Sequence, residues 1–148
     1  MKKIFLLLAI SLIFILNSNA QSAATIFFNE TNGNLPDVGT NFDIPINVTG
    51  FNAGSMPAGI TEIIIYLVYD TAALDYTGFD NSISGLDYTV VKGNDTMILV
   101  DVIDWDGPFF NVADGKLLDL QFDYLGGYST LEFRDATPFQ SQYADENF

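Results

Sequence analysis

Residues Ile63–Phe79 read IIIYLVYDTAALDYTGF, and this stretch decides the fold. Its opening, Ile63 to Tyr69, is made of β-branched, aromatic and leucine side chains, the residue types that fit a pleated surface. Asp70-Thr71-Ala72-Ala73 is turn material, and Leu74 to Phe79 resumes extended structure. Successive strand side chains point to opposite faces. Counting back from Tyr69, one face carries Ile63, Ile65 and Leu67 and the other carries Ile64, Tyr66 and Val68. Both rows are apolar. A strand that buries only one face alternates apolar with polar, so this one is either covered on both sides or turns an apolar row outward.

The same alphabet continues on either side. Thr25 to Phe28 is a short β-forming run, followed by the turn-rich NETNGNLPDVGTN. Phe42 to Phe51 sets Phe42, Ile44, Ile46 and Val48 against Asp43, Pro45, Asn47 and Thr49, the period of a half-buried strand. Pro45 has no amide to donate, so that strand lies at an edge or carries a bulge. Asp87–Lys92 and Thr96–Trp105 form two strands of a hairpin joined at Gly93-Asn94-Asp95. Leu118, Leu120, Phe122 and Tyr124 alternate with Asp119, Gln121 and Asp123, and Tyr128 to Arg134 is read as the last strand. Thr137 to Phe148 is polar and poorly patterned. Helical periodicity, repeats and low-complexity linkers are all missing from the pattern. Short strands at this spacing predict an all-β antiparallel β-sandwich.

The first residues are set apart from this domain. Met1-Lys2-Lys3 is a basic start, Ile4 to Leu16 is apolar except for Ser11, and small Ser18 and Ala20 precede Gln21. This is the three-part pattern of a secretory signal peptide, residues 1–20, with cleavage at Ala20-Gln21. The apolar run is shorter than the roughly 20 residues a membrane span needs, and no later stretch approaches that length. Residues 21–148 then form one domain, exported to the cell surface or beyond, with no transmembrane segment after cleavage. Its only basic residues are Lys92, Lys116 and Arg134.

Composition removes whole classes of function. The chain has 19 acidic and 5 basic residues, a formal charge of −14, and neither His nor Cys. A surface of that charge repels phosphate backbones, which argues against a nucleic-acid partner. Without His or Cys there is no thiolate nucleophile, His-based triad, zinc finger or disulfide framework. A carboxylate pair can hydrolyse glycosides unaided. No motif singles out such a pair here, and the chain is read as not an enzyme.

Three segments, taken in order, resemble the cohesin domain of the carbohydrate-binding-module-like jelly rolls. They are GTNFDIPINVTGF (Gly39–Phe51), IIIYLVYDTAALDYTGF (Ile63–Phe79) and DGKLLDLQFDY (Asp114–Tyr124), about a third of the chain after the leader. The signal peptide resembles those of Bacteroidetes-type bacteria. The resemblance implies a jelly-roll sandwich acting as a secreted, non-catalytic recognition module. Cohesins bind calcium-loaded dockerin domains, and their relatives bind polysaccharide. The expected partner is therefore a dockerin-type protein within an extracellular polysaccharide-degrading or surface assembly. Cohesins also run on to a final strand that pairs with the first, and no segment here is assigned to it.

Candidate sites follow from the residues. Thr96 to Asp104 repeats the two-faced pattern, with Ile98, Val100 and Val102 in one row and Leu99, Asp101 and Ile103 in the other. If this strand neighbours Ile63–Tyr69, the rows Ile64/Tyr66/Val68 and Leu99/Asp101/Ile103 merge into an apolar patch with one acid, a protein-docking surface. The competing expectation is that a loop or terminal segment covers them. Trp105 and Phe109 are expected to plug one end of the sandwich. Exposed, they would instead offer flat apolar area to a sugar ring, the carbohydrate-binding alternative. A purely structural module of a larger surface protein is the second alternative. No cofactor is assigned. Calcium is an alternative, because Asp101, Asp104, Asp106 and Asp114 supply the oxygens a hard cation prefers, though their spacing is not that of an EF-hand. Asp70-Thr71-Ala72 and Asp95-Thr96-Met97 resemble short bacterial O-glycosylation acceptors at Thr71 and Thr96. Asn29-Glu30-Thr31, Asn47-Val48-Thr49 and Asn94-Asp95-Thr96 match the N-glycosylation pattern and are read as coincidence.

Overall fold

The computed structural model describes residues 24–28, 36–56, 58–80, 82–93, 96–107, 109–136 and 139–145. The expected signal peptide, the first of the three N-glycosylation matches and the hairpin turn at 94–95 lie outside them. In chain order the strands are β1 (Thr25–Phe28), β2 (Asn41–Thr49), β3 (Ile60–Val68), β4 (Leu74–Asp80), β5 (Asp87–Lys92), β6 (Met97–Ile103), β7 (Gly115–Tyr124), β8 (Glu132–Phe133), β9 (Asp135–Ala136), β10 (Phe139–Gln140) and β11 (Gln142–Asp145). Every pairing is antiparallel.

Two sheets face each other. One has the order β1-β2-β7-β4; the other has β11-β3-β6-β5, with β8 also on β3. The alternation read from the sequence supplies the layer between them. Ile63, Ile65 and Leu67 of β3 and Ile98, Val100 and Val102 of β6 are fully buried, opposite Ile46, Val48, Leu118, Leu120 and Phe122 of the other sheet. The hairpin at Gly93 forms as expected: Lys92 pairs with Ile98, and the Gly93 amide donates to the Met97 carbonyl at 2.8 Å.

Pro45 meets its expectation through a bulge and not through an edge position. β2 lies inside the sheet, but β1 covers only Ile46 to Thr49, so the donorless nitrogen sits beyond β1's reach. The register with β7 shifts at Ile46/Asn47, a bulge next to the proline. Glycine is required at position 59. Its φ is +83°, and a Cβ there would stand 2.9 Å from the Phe110 carbonyl oxygen. That close approach lets Ile60 and Phe110 exchange two backbone hydrogen bonds of 2.8 Å.

The chain after Tyr124 departs from the sequence reading. The expected strand Tyr128–Arg134 shrinks to β8, and the stretch read as unpatterned contains β11. Gln142, Tyr143 and Ala144 pair with Ile64, Ile63 and Glu62. Between β8 and β11 the β9–β10 hairpin pairs only with itself. Ser141 bridges the gap: its hydroxyl accepts from the Tyr66 amide at 2.9 Å and lies 3.2 Å from the Tyr66 carbonyl. Among the described residues no strand pairs with the outer edge of β1, the place of the unassigned cohesin strand.

Candidate docking face

β3 and β6 are neighbours, so the two outward rows merge. Tyr66 stands opposite Leu99, Ile64 opposite Asp101 and Val68 opposite Met97. β5 adds a third row, with Val91 beside Leu99, Thr89 beside Asp101 and Asp87 beside Ile103. Ile64, Tyr66, Val68, Leu99, Asp101 and Ile103 are all half-buried, while Ile63, Ile65, Leu67, Ile98, Val100 and Val102 of the same strands are buried. Cross-strand neighbours on one face shield one another, which accounts for partial burial on the outside of a sheet. β8 and β11 lie beside β3 in its own sheet. Val91 is exposed, at 44%.

The sequence reading missed Glu62, which pairs with Ile103 and so sits diagonally from Asp101 on this face. The two carboxyls share a hydrogen bond. Burial, then the Asp101 charge and that bond, push the Glu62 carboxyl above its ordinary range; burial also pushes Asp101 up. One Asp101 carboxylate oxygen is buried and has no hydrogen-bond partner among the described residues. An apolar surface with a partly desolvated acid pair toward one end is suited to meeting another protein surface, where charged groups gain strength as water leaves. The hairpin of β5 and β6 was readable in the sequence, but the register that pairs Val91 with Leu99 is set by the structure. Glu62 lay just before the stretch used to set the rows.

Trp105 and Phe109 do not plug the sandwich. Trp105 is 77% exposed and Phe109 is 42% exposed; Phe110, held by its bridge to Ile60, is the buried aromatic. The Trp105 amide donates to the Asp87 carboxylate at 3.3 Å, which fixes its backbone at the end of the outer rows. The next turn is set by Asp104, whose carboxylate accepts from the Asp106 amide at 2.9 Å.

Asp114 works elsewhere. Its carboxylate accepts from the Thr49 hydroxyl at 2.9 Å, the Gly50 amide at 3.0 Å and the Asn52 side-chain amide at 2.8 Å. These donors, the Gly50 amide foremost, hold it below the ordinary carboxylate range. Among the described residues no three carboxylates stand together in a way that could hold a metal ion. Thr71 is half-buried in the turn after β3, and Thr96 is exposed where its carbonyl accepts from the Tyr69 amide at 3.1 Å.

The fold and this face together define a class: an antiparallel jelly-roll sandwich with an amphipathic outer sheet face. No protein-family model and no curated protein matches the chain. Solved structures do match. The solution structure of CaCohA2 from Clostridium acetobutylicum is 18% identical and superposes with a TM-score of 0.65 over 86% of this chain and 82% of that one. The cohesin of a type I cohesin–dockerin complex from Clostridium thermocellum is 16% identical, with a TM-score of 0.61 over 85% and 89%. The sixth cohesin of Acetivibrio cellulolyticus scaffoldin B, solved in complex with a Cel5 dockerin mutant, is 18% identical, with a TM-score of 0.56 over 82% and 94%. The fold of this chain is that of the cohesin modules.

Proposed function

We propose that the chain is an exported, non-catalytic attachment module that binds a dockerin-type protein through the outer face of β3, β6 and β5. The carrying observation is the register that merges Ile64, Tyr66 and Val68 with Leu99, Asp101 and Ile103. The likeness to cohesins solved with dockerins supports the choice of partner. Attachment needs no nucleophile or base, in keeping with a chain that lacks His and Cys.

Tyr66→Asp and Leu99→Asp test this reading. Each places a charge within the face and leaves the buried rows intact, so both variants should melt within a few degrees of wild type. Both should fail to retain dockerin-bearing proteins of the same secretome in the presence of calcium. Loss of folding in both would mean that the rows are core.

The exposure of Trp105 and Phe109 favours a second reading, carbohydrate binding at that end of the sheet. Retention on polysaccharide that Trp105→Ala abolishes, with protein capture unaffected, would support it. The leader at residues 1–20 and glycans on Thr71 or Thr96 belong to the same proposal of export, and the intact mass of the secreted protein reads both.

A further inference from the structure

The outer face does not stop at β5 and β6. Ile103, the last residue of its row, stands between Glu62 and Asp87, and the Asp87 carboxylate holds the Trp105 amide at 3.3 Å. The turn beyond is constrained: Asp104 caps the Asp106 amide, and a Cβ on Gly107 would meet an Asp104 carboxylate oxygen at 3.1 Å. A tight turn of this kind presents the largest exposed aromatic near the face at the end of a line of acids formed by Asp101, Glu62 and Asp87.

We propose that Trp105 is the peripheral anchor of the protein-docking face, and that the partner is a basic and apolar protein surface whose Lys or Arg side chains lie along the line from Glu62 and Asp101 through Asp87 to Trp105. This rests on the docking reading above and names the partner's chemistry. Charge complementarity carries it. The protein has a formal charge of −14, the titration of Glu62 and Asp101 is shaped by burial and by each other and not by a cation, and the acids alternate with apolar positions. A cationic side chain laid there pairs with the carboxylates, and an arginine or lysine at the end of the line stacks on the indole. A second copy of this chain carries the same negative charge and is disfavoured. A neutral glycan would use the indole and leave the acids without a role.

Trp105 is the only tryptophan in the chain, so it reports on itself. The probes are the dockerin-type domains encoded by the source organism, each purified with calcium, preferably as tryptophan-free variants. With a domain that binds, Trp105 emission should shift to the blue and lose accessibility to acrylamide. Trp105→Ala should weaken binding by about tenfold or more, as for an interface tryptophan. The affinity should fall as NaCl is raised, and less steeply for the Asp87→Asn/Asp101→Asn variant. A complex that forms with unchanged emission and quenching, and that Trp105→Ala leaves within about twofold, overturns the anchor while the docking face stands. If soluble polysaccharide shifts the emission and the bound domain does not, the proposal is overturned in favour of the glycan reading. If no domain binds wild type, the docking reading and this proposal fall together.

Discussion

Glu62, Asp101 and Asp114 have opposite electrostatic situations. Glu62 and Asp101 are raised, so the folded state holds their protons more tightly than the unfolded chain does. Their contribution to stability is present below the ordinary carboxylate range and is lost as pH rises through the raised values. The melting temperature of wild type should therefore fall more steeply than that of Asp101→Asn as pH climbs from about 4 toward 7. In the variant, carboxyl NMR should show Glu62 titrating closer to its ordinary value. Parallel melting curves for the two proteins would remove the carboxyl pair from the account. Asp114 is lowered, so its contribution is present above the ordinary range and is lost as pH falls through the lowered value. Asp114→Ala should lower the melting temperature at pH 7 and flatten the acid limb of the curve, read by circular dichroism.

Among the elements, β3 and β6 show how one strand serves two surfaces. Ile65 is fully buried, while Ile64 beside it is half-buried. Ile65→Ala should cost about 2–5 kcal/mol by urea denaturation, as for other buried large-to-small changes. Ile64→Ala, on the outer face, should cost clearly less. Equal losses would show that the outer row is packed like the inner one. The junction before β3 is a second test. Gly59→Ala must place a Cβ at positive φ and within 2.9 Å of the Phe110 carbonyl oxygen. It should destabilise the protein by about 1 kcal/mol or more and speed amide exchange at Ile60 and Phe110.

At the scale of the whole molecule, the sandwich divides labour between its layers. Residues facing inward hold the sheets together, and the outer face of β3, β6 and β5 carries the proposed recognition surface. The outer edge of β1, on which no strand pairs among the described residues, belongs to the opposite sheet, so an added strand there would extend the sandwich without touching the proposed docking face. Tyr66→Asp, Leu99→Asp and Trp105→Ala should consequently alter partner capture while leaving the denaturation midpoint nearly unchanged. A midpoint that drops with capture would tie the face to the core.

Alternation is a local property. The sequence by itself determined the strands from Phe42 through Tyr124, the inward set Ile63, Ile65, Leu67, Ile98, Val100 and Val102, and the strongly acidic character, because each depends on neighbouring residues or on composition. Tertiary structure decided what depends on distant pairing. Gln142–Asp145 carries no β signal of its own and becomes β11 because β3 offers it an edge. Asp114 meets Thr49, Gly50 and Asn52 only once β2 and β7 lie side by side. Phe110 is buried and Trp105 exposed because the bridge to Ile60 chooses between aromatics that look alike in sequence. Glu62 finds Asp101 through the β3–β6 register, and register is fixed by which faces the whole sandwich buries.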